Sequence, residues 1–125
     1  MGARILIVDD NPTNLKLASH VLEAEGYTLD LATDAEEAQE LLHRMTPDLI
    51  LMDIALPGMD GLTLTRKLKI DERLKYVPVV AMTAFAMVGD ERKALDAGCD
   101  GYITKPIDTR KFPQQVAAFL RPEKK

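Results

Sequence analysis

Four short apolar runs, each followed by a polar residue, constrain the fold of this chain more than any other feature of its sequence. No run is longer than a strand, and an uninterrupted apolar run rich in β-branched residues, such as Ile5–Val8, is typical of a strand covered on both faces. The carboxyl ends of parallel strands meet at one edge of a sheet, which is where open α/β sheets bind ligands. Three carboxylates, a hydroxyl and an ammonium are therefore predicted to converge on one edge. The runs and the residues after them are Arg4–Val8 with Asp9 and Asp10, Leu49–Met52 with Asp53, Val79–Met82 with Thr83, and Gly101–Thr104 with Lys105 and Pro106.

Helical patterns lie between these runs and complete five βα units. Asn11 is the predicted N-cap of the first helix, Pro12 fits its first turn, and Gly26 is its predicted stop. Thr33 and Glu36 match a capping box for the second helix. Short connections between such units predict a parallel sheet with helices on both faces.

The remaining predicted elements follow from the same signals. A weaker second strand is predicted at Tyr27–Leu31, and the second helix has an apolar stripe of Ala35, Ala38, Leu41, Leu42 and Met45. The third helix is predicted to open at Asp60 and Gly61, with Leu62, Thr65 and Leu68 on one face. A short helix is expected over Asp90–Ala97, closed by Gly98, and a last helix is expected to be capped by Asp108 or Thr109, with Phe112, Val116, Phe119 and Leu120 inside.

Size and composition favour one globular domain. The chain has 125 residues, enough for a core, and its net charge of −4 argues against a nucleic-acid partner. Its single cysteine, Cys99, excludes an intrachain disulfide and is expected to be a buried small side chain. No apolar run approaches the about 20 residues that span a bilayer, and no signal peptide precedes the first strand. We therefore expect a cytoplasmic protein without a membrane span, with residues 1–125 forming one domain and no output domain.

Each residue at a strand end has an ordinary explanation when it is taken alone. Asp9 and Asp10 could serve as turn or capping residues, Asp53 as a turn residue, Thr83 as a cap and Lys105 as a surface lysine. Four of the five predicted strands nevertheless carry such a group. The strand that lacks one has the weakest pattern, which fits a sheet edge.

The chemistry of the group set favours a cation and a phosphoryl group. Adjacent carboxylates repel each other, so a bound cation is a natural partner for Asp9 and Asp10. A hard ion that prefers oxygen ligands, such as Mg²⁺, fits acids from different loops. The cation and Lys105 would then offset the charge of a phosphoryl group on Asp53, because an aspartate can accept one by nucleophilic attack.

The chain resembles the receiver domains of response regulators in two-component signalling, the CheY-like superfamily, over essentially its whole length. The resemblance implies a flavodoxin-like α/β fold, a doubly wound (βα)5 sheet with strand order 2-1-3-4-5 and helices on both faces. A Thr-Ala-Phe-Ala-Met stretch after the fourth strand is similar to that of the stand-alone DivK-like regulators. The segments that carry the resemblance are Ile5–Asn11, Asp48–Asp53, Leu56–Gly61, Met82–Ala84 and Gly101–Pro106.

The resemblance also implies a role for each site residue. Asp53 would be the phosphoacceptor, Thr83 would hydrogen-bond the phosphoryl group, and Lys105 would pair with it. The bond before Pro106 would be cis. Tyr102 would be the aromatic switch that turns inward; taken alone it fits a half-buried aromatic on an edge strand, but its place near Lys105 favours the switch. The implied Mg²⁺ ligands are Asp9 acting through water, Asp10, Asp53 and the backbone carbonyl of Ala55.

The implied function is a phosphorylation-activated switch that takes its phosphoryl group from a histidine kinase or a histidine phosphotransfer protein. It would signal to a target protein through the face of the fourth helix, fifth strand and fifth helix, as a monomer or a phosphorylation-dependent dimer. It would catalyse nothing beyond its own phosphorylation and slow dephosphorylation. Small Ala55 cannot hold an attacking water and bulky Phe85 can shield the site, so we expect a long-lived phosphoform.

Other functions fit the sequence less well. The chain could be a receiver module cut from a hybrid kinase or a multidomain regulator. A phosphatase with an aspartyl-phosphate intermediate would usually need an acid two residues after the nucleophile, where this chain has Ala55. A flavin carrier is disfavoured because the loop Asp9–Thr13 is acidic and lacks glycine. His20 and His43 lie on predicted helices without metal-like spacing and are expected at the surface.

Overall fold

A computed structural model describes residues 3–54, 61–83, 90–104 and 107–120. Five strands alternate with five helices along these residues. No helix in these four segments combines the length and the apolar character that crossing a bilayer requires. The strands are β1 (Arg4–Val8), β2 (Thr28–Ala32), β3 (Leu49–Asp53), β4 (Val79–Thr83) and β5 (Gly101–Thr104). The helices are α1 (Pro12–Glu23), α2 (Ala35–Arg44), α3 (Gly61–Lys69), α4 (Asp90–Asp96) and α5 (Phe112–Phe119).

The five strands form one parallel sheet in the order β2-β1-β3-β4-β5, which confirms the predicted topology. The central strands β3 and β4 are buried along their whole length, whereas β2 is partly exposed and lies at an edge. All carboxyl ends of the strands therefore meet at one side of the sheet, as the alternation of strands and helices requires.

Apolar side chains alternate between the two faces of the sheet and build a core on each. Leu6 and Val8 of β1 point to one cluster, whereas Ile5 and Ile7 point to the other. Each fully buried aliphatic side chain stabilises the fold by about 1.5–3 kcal/mol. The first cluster takes its helical residues from α2, α3 and α4, and the second takes them from α1 and α5. The sheet is thus covered on both faces.

The ends of α1 are those that the sequence predicts. The side chain of Asn11 accepts hydrogen bonds from the backbone N–H groups of Thr13 (2.9 Å) and Asn14 (3.3 Å), with Pro12 as the first helical residue. Gly26 has a φ of +92°, which disfavours a residue with a Cβ atom and ends the helical turn. The amino terminus of α1 is consequently fixed close to the end of β1.

The cap of α2 is shifted by one residue from the predicted capping box. Asp34 is the N-cap, and its side chain accepts from the backbone N–H of Glu37 at 2.8 Å. The Glu37 carboxylate in turn accepts from the backbone N–H and hydroxyl of Thr33, at 2.6 and 2.9 Å. The pairing of Thr33 with Glu36 was wrong because a carboxylate one residue later caps the same turn.

The start of the last helix and the buried face of α3 differ from their predictions. The last helix begins at Phe112, because the side chain of Asp108 instead accepts from the N–H of Arg110 (3.0 Å) and closes a preceding turn. The residue before the helix, Lys111, provides no side-chain cap. In α3 it is Leu64 that is fully buried, whereas Leu62 is half-buried at the margin of the first cluster. The buried face of α3 is therefore rotated slightly about the helix axis from the predicted one.

The amino-terminal ends of β4 and β5 are fastened by a lysine. The Lys69 ammonium donates to the carbonyl of Val77 and to a carboxylate oxygen of Asp100, each at 2.9 Å, and its side chain is only 19% exposed. The same Asp100 oxygen accepts from the backbone N–H of Val79 at 2.9 Å. These bonds join the end of α3 to the edge of the sheet opposite the predicted site.

Candidate functional site

The carboxylates of Asp9, Asp10 and Asp53 lie together at the carboxyl edge of the sheet, as predicted. One ligand oxygen from each lies within 4.8 Å of those of the other two. Asp53 is the last residue of β3, and the adjacent strand β1 ends immediately before Asp9. Asp9 and Asp53 are buried, 1% and 5% exposed respectively, whereas Asp10 is exposed. The cluster thus has a buried floor and one carboxylate at its rim.

Local backbone bonds hold Asp9 in place. Its backbone N–H donates to the carbonyl of Ala32 at 3.0 Å, which extends the pairing between β1 and β2. Its carboxylate accepts from the N–H of Asn11 at 2.9 Å, and Asn11 then caps α1. The turn after β1 is therefore built by the same residues that present the acids.

The donor set suits a hard divalent cation. Three carboxylates at this separation repel one another, and burial of Asp9 and Asp53 strengthens the repulsion because the local dielectric constant is lower than that of water. The cluster offers oxygen ligands from separate loops, with Asp10 open to solvent, so that waters can complete a coordination shell. Mg²⁺ fits this set.

Thr83 lies at the same edge on the neighbouring strand. It is the last residue of β4 and is 3% exposed. The preceding residue, Met82, is the register partner of Asp53, and its carbonyl accepts from the N–H of Ile54 at 3.2 Å. Thr83 thus follows the register partner of Asp53 on the adjacent strand, at the same edge of the sheet, and its contact with a phosphoryl group stays a prediction.

Of the remaining predicted site residues, Tyr102 lies within the described segments and the others lie outside them. Tyr102 pairs with Ala81 in the sheet, and its side chain is half-buried against the first core cluster with the hydroxyl oxygen buried. Its inward rotation on phosphorylation stays a prediction. Ala55 with its carbonyl ligand, Phe85, Lys105 and the cis bond before Pro106 lie outside the described residues and also stay predictions.

Three residues predicted to have no chemical role match expectation. His20 and His43 are exposed on α1 and α2. Cys99 is buried, with its Sγ 3.9 Å from the Thr65 hydroxyl, and burial raises the pKa of its thiol.

Gly61, predicted only as the start of the third helix, is a neighbour of the cluster. It is the first residue of α3, and its N–H donates to the carbonyl of Ile54 at 3.4 Å. Its place after Asp60 and in the segment Leu56–Gly61 indicates a helix start and a family resemblance, but not a contact with β3.

Comparison with known proteins gives a consistent result. The family model of the response regulator receiver domain matches residues 5–117. The polar-differentiation response regulator DivK of Brucella ovis is 44% identical over 120 residues, which cover 96% of this chain and 98% of DivK. The receiver domain of the sensor histidine kinase PA1611 from Pseudomonas aeruginosa, solved with a magnesium ion in its active-site cleft, is 34% identical with a TM-score of 0.87. The alignment covers 96% of this chain and 98% of that structure.

A two-component response regulator from Clostridium difficile is also similar, with 32% identity, a TM-score of 0.88 and coverage of 96% and 97% of the two chains. The family match spans more than half of the chain, and the relatives align over nearly its full length. These matches agree with the strand order and with the cluster of acids at the carboxyl edge. The chain belongs to the family of response regulator receiver domains, the signalling modules of two-component systems.

Proposed function

We propose that Asp53 accepts a phosphoryl group from a phosphohistidine donor, and that Mg²⁺ held by Asp9, Asp10 and Asp53 is required for the transfer. The observation that carries this proposal is the convergence of three carboxylate oxygens within 4.8 Å around a buried aspartate at the end of β3. A carboxylate surrounded by others is a poor target for a further anion unless a cation is present. The magnesium ion in the active-site cleft of the related PA1611 receiver domain supports the choice of ion.

The transfer can be written as an in-line displacement. A carboxylate oxygen of Asp53 forms a bond to phosphorus while the bond between phosphorus and the donor imidazole nitrogen breaks. The electron pair of that bond leaves on the imidazole nitrogen. When bound, Mg²⁺ neutralises negative charge on the phosphoryl oxygens and on the carboxylates. Asp9 and Asp10 hold the ion, Thr83 donates a hydrogen bond to the product, and Lys105 pairs with it.

Phosphorylation then changes the charge at the end of β3. The phosphoryl group adds nearly two negative charges and three acceptor oxygens, so the hydroxyl of Thr83 is drawn toward it. Movement of Thr83 alters the space available to Tyr102 on the adjacent strand. A change in the face formed by α4, β5 and α5 follows, and a target protein reads that face.

The proposed partners are a histidine kinase or a histidine phosphotransfer protein upstream and a target protein downstream. The similarity to DivK over nearly its full length supports a receiver that acts as one domain, either as a monomer or as a phosphorylation-dependent dimer. Profiling of phosphotransfer from the kinases of the source organism identifies the donor.

Labelling by a small phosphodonor tests the proposal. Purified protein is incubated with acetyl phosphate with and without Mg²⁺, and the phosphorylated fraction is followed over time. The wild-type chain and an Asp96→Asn control, which removes an exposed acid from α4, are expected to be labelled only when Mg²⁺ is present. Asp53→Asn is expected to show no labelling, and full labelling of that variant contradicts the proposal.

A further inference from the structure

The first residue of α3 packs directly on the backbone of the proposed phosphoacceptor. A Cβ atom placed on Gly61 would lie 2.9 Å from Ile54 Cα and 3.0 Å from the carbonyl carbon of Asp53, and closer still to the Asp53 carbonyl oxygen. These separations are well inside the about 3.5–4.0 Å at which carbon atoms attract each other. All three obstructing atoms belong to the backbone, so no side-chain rotation relieves the clash.

Space, and not backbone conformation, requires glycine at this position. Gly26 and Gly98 have positive φ angles, whereas Gly61 does not. An alanine at position 61 would therefore fit the local dihedral angles but would force α3 away from β3. The buried hydroxyl of Thr65, which donates to the carbonyl of Gly61 at 2.8 Å, shows that this first turn is itself held firmly.

The strand cannot retreat to make room. β3 is paired on one side with β1 and on the other with β4, and the bond from the Ile54 N–H to the Met82 carbonyl continues that pairing past Asp53. An added methyl group would thus either separate α3 from the sheet or rotate the peptide after Asp53. In both cases the carboxylate of Asp53 would shift relative to those of Asp9 and Asp10.

We propose that Gly61 is a positioning residue for phosphoryl transfer: the absence of a side chain lets α3 close onto the Asp53 backbone and hold the Asp53 carboxylate at the metal-binding separation. This role assumes the acceptance of the phosphoryl group by Asp53 proposed above. Misplacement of a reacting group by about 1 Å can lower a rate about a hundredfold, and loss of a supporting contact lowers metal affinity by about 10–100-fold.

The test compares Gly61→Ala with Gly98→Ala, a glycine substitution at the opposite end of the sheet. A Cβ atom on Gly98 would lie 2.8 Å from Lys69 Cγ, and φ there is +108°, so the control also destabilises the fold. Urea denaturation measures the stability of both variants. Isothermal titration calorimetry measures the dissociation constant for Mg²⁺, and the rate of labelling by acetyl phosphate is measured at saturating Mg²⁺ over a range of donor concentrations.

Gly61→Ala is expected to weaken Mg²⁺ binding by at least about tenfold and to lower the maximal labelling rate by a similar factor. Gly98→Ala is expected to keep both quantities within about twofold of the wild-type values, because its clash is remote from the site. Wild-type affinity and rate in folded Gly61→Ala, or equal losses in Gly98→Ala, overturn the role of Gly61. If the wild-type chain neither binds Mg²⁺ nor becomes labelled, the proposed function fails instead.

A second variant keeps the test decisive if Gly61→Ala does not fold. Thr65→Val removes the bond to the Gly61 carbonyl without adding volume, and it loosens the same turn of α3. It is expected to lower the urea midpoint and to weaken Mg²⁺ binding by a smaller factor than Gly61→Ala does. An unchanged Mg²⁺ affinity in Thr65→Val, together with a lower urea midpoint that shows α3 to be loosened, overturns the proposal that the close packing of α3 holds the Asp53 carboxylate.

Discussion

Neutralising one acid of the cluster should stabilise the fold without Mg²⁺ and destabilise it relative to wild type when Mg²⁺ is bound. In the absence of the ion, the carboxylates of Asp9, Asp10 and Asp53 repel one another within 4.8 Å. The fold holds them together and the unfolded chain separates them, so their repulsion opposes folding near neutral pH. Asp10→Asn is the most suitable perturbation because Asp10 is exposed and its replacement disturbs no packing.

The size of the effect follows from the separation. Two unit charges 4.8 Å apart repel by about 0.9 kcal/mol in water and by about 3.5 kcal/mol at an effective dielectric constant of 20. Asp10 is at the solvent-exposed rim and salt screens it, so the lower value is the better guide. We expect Asp10→Asn to raise the free energy of unfolding by about 1 kcal/mol, which raises Tm by about 4 °C in a chain of this size.

Added Mg²⁺ should reverse the order of stability of the wild-type chain and Asp10→Asn. At a concentration about 100 times its dissociation constant, the ion stabilises the wild-type chain by about 2.7 kcal/mol. A variant that binds about a hundredfold more weakly gains only about 0.4 kcal/mol under the same conditions. The wild-type chain should therefore become more stable than Asp10→Asn by about 1 kcal/mol.

Thermal unfolding with and without Mg²⁺ measures both quantities. Glu25→Gln serves as the control, since it removes one negative charge from an exposed turn beyond α1 and should respond to Mg²⁺ as the wild-type chain does. If Asp10→Asn is less stable than wild type without the ion, or if the ion stabilises both equally, then the cluster does not act as a repulsive metal site.

Two further predictions concern the opposite edge and the lifetime of the product. Lys69→Met should lower the free energy of unfolding by about 2 kcal/mol, because it removes charge-assisted bonds to Asp100 and to backbone carbonyls, whereas exposed Lys67→Met should change it by less than about 0.5 kcal/mol. Equal urea midpoints for the two variants would contradict that role for Lys69. After removal of the donor, the phosphoform should persist for minutes or longer and should decay faster in Phe85→Ala and Ala55→Asn, as followed by loss of the labelled fraction. A wild-type phosphoform that decays within seconds, with neither variant changing the rate, would refute the expectation.

Much of the fold could be predicted from the sequence because its signals are local or periodic. Uninterrupted apolar runs identify the buried strands β1, β3 and β4, and Asn11 with Pro12 identifies the start of α1. The convergence of Asp9, Asp10 and Asp53 was predictable because the carboxyl ends of parallel strands share one edge. Strand order came from the resemblance to a family, which the paired register confirms.

The features that were missed depend on contacts between distant segments. Thr33 and Asp34 are both residue types that cap helices, and the sequence alone does not show that the Asp34 side chain accepts from the N–H of Glu37. Nothing near Gly61 in the sequence indicates that it meets the Asp53 backbone. Similarly, the pattern of α3 shows Lys69 as an ordinary charged residue, whereas the fold turns its ammonium toward Asp100, 31 positions away.

Chemical mapping of the phosphoryl group is the most direct test that Asp53 is the phosphoacceptor. The labelled wild-type chain is reduced with borohydride, which converts an aspartyl phosphate to homoserine, and the modified position is read by peptide mass spectrometry. We expect homoserine at position 53 alone, and only in samples that were labelled with Mg²⁺ present. Modification at Asp9, Asp10 or any other position, with an unmodified Asp53, would contradict it.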